Sequence, residues 1–179
     1  MAEDESAELD RKFFDLVGQI AHDWATLESL VNESIWEAAD LDHQLGACIT
    51  AQIFSLPSRL DALSLLLRAR GASEELMSKV NRFIADSRRP TELRNRAVHD
   101  PLGVHKQSGE VRQLQITARG KLVFETRKVT VEQLEKDSAE INRFLDRFME
   151  LREELQVELE TLPPYQRQLL FPLITRSQK

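Results

Sequence analysis

One cysteine, Cys48, is all that 179 residues provide, so no disulfide can close within a single chain. Glycine and proline are equally sparse at six each, too few for the turns of an all-β fold, and no collagen-like or low-complexity repeat is present. No apolar run approaches the roughly 20 residues that a membrane-crossing helix needs. The opening Met1-Ala-Glu-Asp-Glu stretch is acidic and lacks the basic start and apolar centre of a secretory signal, so the expectation is a cytoplasmic protein with no membrane contact. No H-E-x-x-H segment, paired cysteine or glycine-rich phosphate loop occurs. Neither a metal nor a cofactor is therefore expected. Cys48 falls in an apolar stretch and reads as a buried, inert thiol rather than a nucleophile.

What is abundant is Leu, Glu, Arg and Ala at helical spacing, which points to an all-α fold. Leu9, Phe13, Leu16, Val17, Ile20, Trp24, Leu27, Val31 and Ile35 form one stripe and predict a helix over about residues 7–39. A second helix is expected over 42–54 with Leu45, Ile49 and Ile53 inward. Ser55-Leu56-Pro57 opens a third, which Gly71 ends. Ser73, followed by Glu74 and Glu75, is an N-cap for a fourth, whose buried side is Leu76, Val80, Phe83 and Ile84. Pro90 makes that segment kink or restart, and Asp100-Pro101 stops it. Alternating Leu114, Ile116, Ala118, Leu122 and Phe124 around Arg119-Gly120 predict a small β-hairpin in an insert over about 103–128. Thr130 with Gln133 matches a capping box for a last long helix, and Pro163-Pro164 ends it before a short terminal helix over about 163–172. The expectation is a single domain over 1–179, an antiparallel bundle of about five helices.

The net charge of −6 argues against unselective binding of polyanions, but the charges are unevenly placed. Residues 1–40 carry 11 acidic and 2 basic side chains, whereas residues 59–130 carry 15 basic and 8 acidic ones. The basic zone contains Arg94-Asn95-Arg96-Ala97-Val98-His99, the densest chemistry in the chain. A guanidinium can fork onto two phosphate oxygens, an amide both donates and accepts, and imidazole exchanges protons near neutrality. On an ideal helix Asn95 and His99 lie about 40° apart, whereas Arg94 and His99 differ by about 140°. A shared site therefore needs a curled Arg94 side chain, a distorted helix or a second copy of the chain. The bland alternative pairs Arg94 with Glu28 or Glu92 and leaves His99 to cap its own helix. A helix-turn-helix DNA reader over 73–99 is disfavoured, because Pro90 breaks the reading helix.

This Arg-polar-x-x-x-His arrangement, with a long first helix bearing Trp24 and Glu28, resembles the signature of the HEPN superfamily of all-helical nucleotide-binding domains. The resemblance implies a metal-independent endoribonuclease that works at a homodimer interface on RNA, and a toxin or defence component restrained by an antitoxin or other regulatory protein. It assigns catalysis to Arg94, Asn95 and His99, contact with phosphates to Arg96, Arg88 and Arg89, and support to Glu28 and Trp24. The same superfamily includes non-catalytic interaction and nucleotide-binding modules, which is the competing expectation.

Overall fold

The longest apolar stripe becomes the longest helix, α1 (Ala2–Ala39), in a computed structural model that describes residues 2–105, 108–117 and 122–163. Its buried positions Phe13, Ile20, Trp24, Leu27, Val31, Ile35 and Ala38 keep the spacing of three or four, with one gap of seven after Phe13. Leu9, counted in the same stripe, is 40% exposed. The helix ends without glycine. Asp40 takes φ 55°, and the Leu41 and Asp40 amides donate back to the carbonyls of Trp36 and Glu37, which satisfies two orphan acceptors.

α6 (Val131–Thr161) supplies the second long stripe, from Leu134 through Ile141, Phe144, Phe148 and Leu151 to Leu155, and packs along α1. Phe83 stacks on Phe144 with ring centroids 4.2 Å apart. At about 1.5–3 kcal/mol for each large side chain removed from water, this seam is the main stabilising contact before chain entropy is subtracted. Only half of the expected capping box forms at the start of α6. The Thr130 hydroxyl accepts from the Gln133 amide, while the Gln133 side chain donates to Asp137 instead of returning to Thr130.

α2 (His43–Thr50) overturns the expected inward face. Leu45 and Ile49 are 57% and 49% exposed, Ile53 is only half-buried, and the helix turns Gly46 and Thr50 inward instead. The cause is Trp36: a Cβ at Gly46 would lie 2.4 Å from its ring, so the bare backbone is what packs there, and Thr50 accepts from the indole N–H. Cys48, on the same helix, is exposed rather than buried. α3 (Leu56–Arg70) begins at the Ser55 cap and ends at Gly71, whose φ of 84° needs a residue without Cβ. α4 (Glu74–Asp86) is capped by the Ser73 hydroxyl, which accepts from Leu76.

The segment with Pro90 restarts rather than kinks. α5 (Arg88–His99) follows α4 after the single residue Ser87, and Pro90 occupies its first turn, where a missing N–H costs no intrahelical bond. The described residues thus hold six helices. The insert has three strands rather than a two-stranded hairpin: β1 (Leu102–Val104), β2 (Val111–Thr117) and β3 (Val123–Lys128) run antiparallel in the order β1-β2-β3. The short β1 was too brief to show a period. Residues 118–121, which include Ala118 and the Arg119-Gly120 turn, and the terminal helix expected over about 163–172 from residue 164 onward, lie outside the described residues.

The sheet departs from the usual polarity of a half-buried antiparallel ladder: its inward side is mixed, with Leu102 and Val111 packed against the core beside a buried glutamine. Gln113, 7% exposed, faces α5, where its Nε2 donates to the Arg96 carbonyl at 2.7 Å. Ile116 and Phe124, cross-strand partners, are 50% and 64% exposed. Glutamines point inward opposite α5 because α5 presents Arg96 there: its Nη1 donates to Gln115 at 3.1 Å, and an apolar side chain could not satisfy it.

Candidate functional site

Arg94, Asn95 and His99 meet at the C-terminal end of α5 within one chain. The Arg94 Nη1 donates to the Asn95 amide oxygen at 2.9 Å and lies 3.0 Å from the His99 Nε2. A guanidinium can only donate, so Nε2 accepts, and the hydrogen of the neutral ring then sits on Nδ1. Of the three routes open from the sequence, the curled side chain is the one realised, and a second copy is not needed to bring these groups together. Asn95 and His99 are exposed, whereas Arg94 is half-buried.

The curl is held from α1. The Arg94 guanidinium carbon lies 5.8 Å from the ring centre of Trp24, a cation–π contact, and Trp24 itself is 3% exposed. The Trp24 indole donates to Glu28 at 3.0 Å, and the other Glu28 oxygen is 3.3 Å from Arg59 of α3. Glu28 therefore fixes the Trp24 platform and does not bond to Arg94. Glu92 pairs with Arg88 at 3.3 Å. Both carboxylates named as structural partners for Arg94 are engaged elsewhere, and no salt bridge to Arg94 occurs among the described residues. Its Nε is buried without a hydrogen-bond partner among the described residues.

Two residues that sequence reasoning passed over adjoin the Trp24–Glu28 platform, Asp23 as the neighbour of Trp24 in the chain and Arg59 through Glu28. Asp23, beside Trp24, is 4% exposed; one oxygen accepts from Gln19 at 2.7 Å and the other, Oδ2, is buried without a partner among the described residues. Such a carboxylate costs free energy and is seldom retained for packing alone. Arg59 anchors Glu28. Neither had a signal in the sequence, since an acid and an arginine in amphipathic helices read as solvated faces.

The remaining arginines of α5 go elsewhere. Arg96 is two positions from Arg94, about 160° round the helix, and is bonded to the sheet. Arg88 and Arg89 occupy the opposite end, with Arg89 held by Glu140 at 2.6 Å. That hydrogen bond, assisted by the Glu140 charge, raises the Arg89 pKa above the ordinary guanidinium value. His105, in the loop after β1, contacts the Ser108 hydroxyl at 3.0 Å and takes no part in the cluster. No group of three or more His, Cys, Asp or Glu side chains among the described residues is placed to hold a metal ion, and no described helix is long and apolar enough to cross a membrane.

No protein-family model, no curated protein and no solved structure matches the chain.

Proposed function

We propose that the chain is an endoribonuclease of the HEPN type, cleaving RNA without a metal at the Arg94–Asn95–His99 end of α5. One observation carries the reading: Arg94 is held against Asn95 and His99 by an aromatic face instead of a carboxylate, which leaves its charge available to a phosphate. Arg88 and Arg89 would have to exchange Glu92 and Glu140 for a phosphate before contacting RNA, so they carry less of the argument.

In the reaction the ribose 2′-oxygen gives its proton to a neutral His99 Nε2 and attacks the adjacent phosphorus. The bond to the 5′-oxygen breaks, and that oxygen takes a proton from a second, protonated imidazole. The products are a 2′,3′-cyclic phosphate and a 5′-hydroxyl. Arg94 offsets the charge that builds on the non-bridging oxygens, and Asn95 holds the guanidinium in line. One chain offers a single imidazole at this place, so the acid comes from the His99 of a second copy. The reading thus includes a homodimer whose α5 ends face one another, built on an antiparallel helical bundle. A toxin or defence role with an inhibitory partner protein follows from the resemblance alone.

The competing reading, a phosphate-binding module that does not cut, is favoured by one contact: the His99 nitrogen that would serve as base is taken up by Arg94. A substrate with a single 2′-deoxynucleotide separates the two. Cleavage everywhere except beside the deoxy position, by a protein that sediments as a dimer, supports the enzyme. Binding of RNA with no product from any substrate supports the module.

A further inference from the structure

β3 leaves the sheet with an open edge. Among the described residues the strand pairs with β2 alone, and residues 124–128 are all exposed. The Val129 amide donates to the Val111 carbonyl at 3.1 Å, and backbone direction alternates along an antiparallel ladder. Glu125 and Arg127 therefore turn their N–H and C=O groups towards β2, whereas Phe124, Thr126 and Lys128 turn theirs to the open edge.

Such an edge accepts another strand, and charged side chains are the usual means of preventing it. On β3 the charges select a partner instead of excluding all of them. Glu125 and Arg127 share one side of the strand with opposite signs, and neither forms a salt bridge among the described residues. In a two-fold antiparallel pairing a strand meets itself, so its central residue faces its own copy. Centring on Glu125 sets two carboxylates opposite each other, and centring on Arg127 sets two guanidinium groups opposite each other; both are unfavourable. Centring on Thr126 sets Glu125 against the partner's Arg127, and Arg127 against the partner's Glu125. The same register joins Thr126 to the partner's Thr126, and Phe124 to the partner's Lys128, through the backbone groups that already point outward. Glu125 and Arg127 then fall in the non-hydrogen-bonded pairs, where opposed side chains stand closest. Phe124, 64% exposed, gains the aliphatic stem of the partner's Lys128 as cover.

We propose that a second copy of the chain adds to β3 in this register, joining two three-stranded sheets into one continuous sheet. This interface is separate from the meeting of α5 ends and stands whether or not the chain cleaves RNA. Sedimentation equilibrium of the full-length chain tests it, with Thr126→Pro as the first variant. Proline removes the outward N–H at the centre of the register and leaves the ladder to β2 intact, because that donor takes no part in it. The mass in solution is expected to halve, from four copies to two where α5 ends also pair and from two to one where they do not. Glu125→Arg and Arg127→Glu, each alone, should weaken the same association by at least about tenfold, since like charges then face each other. The double variant, and an equimolar mixture of the two single ones, should recover it, because opposite charges meet again. A mass that Thr126→Pro leaves unchanged, a double variant no tighter than the single ones, or an unmodified chain that stays a monomer would overturn the proposal. RNA cleavage by Thr126→Pro, measured separately, reports on the α5 end alone.

Discussion

Arg94 and Arg96 stand two residues apart on one helix and live in opposite surroundings. Arg94 rests on an aromatic ring of α1 and touches the polar end of its own helix; Arg96 is bonded to a strand through Gln115, and its carbonyl is held by Gln113. Among the described residues neither has a carboxylate partner, and Arg94 has an imidazole. The contrast shows that a short motif of charged residues is divided by helical geometry. Two turns of helix serve two separate faces, and which arginine can act is decided by what the neighbouring elements offer it.

The sharpest way to break this contrast is through the platform. Trp24→Ala should cost about 3–5 kcal/mol of stability, the range for emptying a buried tryptophan site. It should also release Arg94 from His99, which denaturant unfolding and RNA cleavage read separately. Next comes the pair itself: Arg94→Ala should lower the cleavage rate about 10²–10³-fold with the fold intact, as loss of one preorganised charge stabiliser does. Arg96→Ala should leave cleavage near its starting rate, and an equal loss in both variants would erase the distinction. On the sheet side, Gln113→Ala removes the donor to the Arg96 carbonyl and should destabilise by about 1–3 kcal/mol, with little effect on cleavage.

The smallest effect concerns Glu110, whose carboxyl is held below the usual carboxylate range by hydrogen bonds from Lys128 and then Arg112. A depressed folded-state value means that its stabilisation is present above the unfolded carboxylate pKa of about 4.3 and is lost as pH falls through the folded value. Melting curves of the unmodified chain and Glu110→Gln should therefore differ slightly at neutral pH and converge in acid. A difference that grows on acidification would contradict the assignment.

The long helices were legible because burial on one side imposes a period that the chain repeats for many turns, as from Ile20 to Ala38 and from Leu134 to Leu155. Caps were legible too, since Ser55, Ser73 and Gly71 act within one turn of themselves. The existence of α2 was legible but its inward face was not, because its packing depends on a glycine meeting Trp36, a contact that hydrophobicity cannot announce. The β2–β3 pairing was legible from the alternation, but which side faces inward was not: Ile116 and Phe124 alternate as a buried face would and are exposed, while Gln113 and Gln115 turn towards α5. At the motif, the residue types were readable and their convergence was not. The angle between Arg94 and His99 spoke against a shared site, and the ring that turns Arg94 back lies seventy residues earlier in the chain.

The most direct check is product analysis with His99→Ala beside the unmodified chain, on a defined RNA and in excess chelator. The unmodified chain should yield 2′,3′-cyclic phosphate and 5′-hydroxyl ends, and the variant, folded and of the same mass in solution, should yield none. Undiminished cleavage by the variant, or cleavage by the unmodified chain that stops when metal is removed, would contradict the assignment of the chemistry to this end of α5.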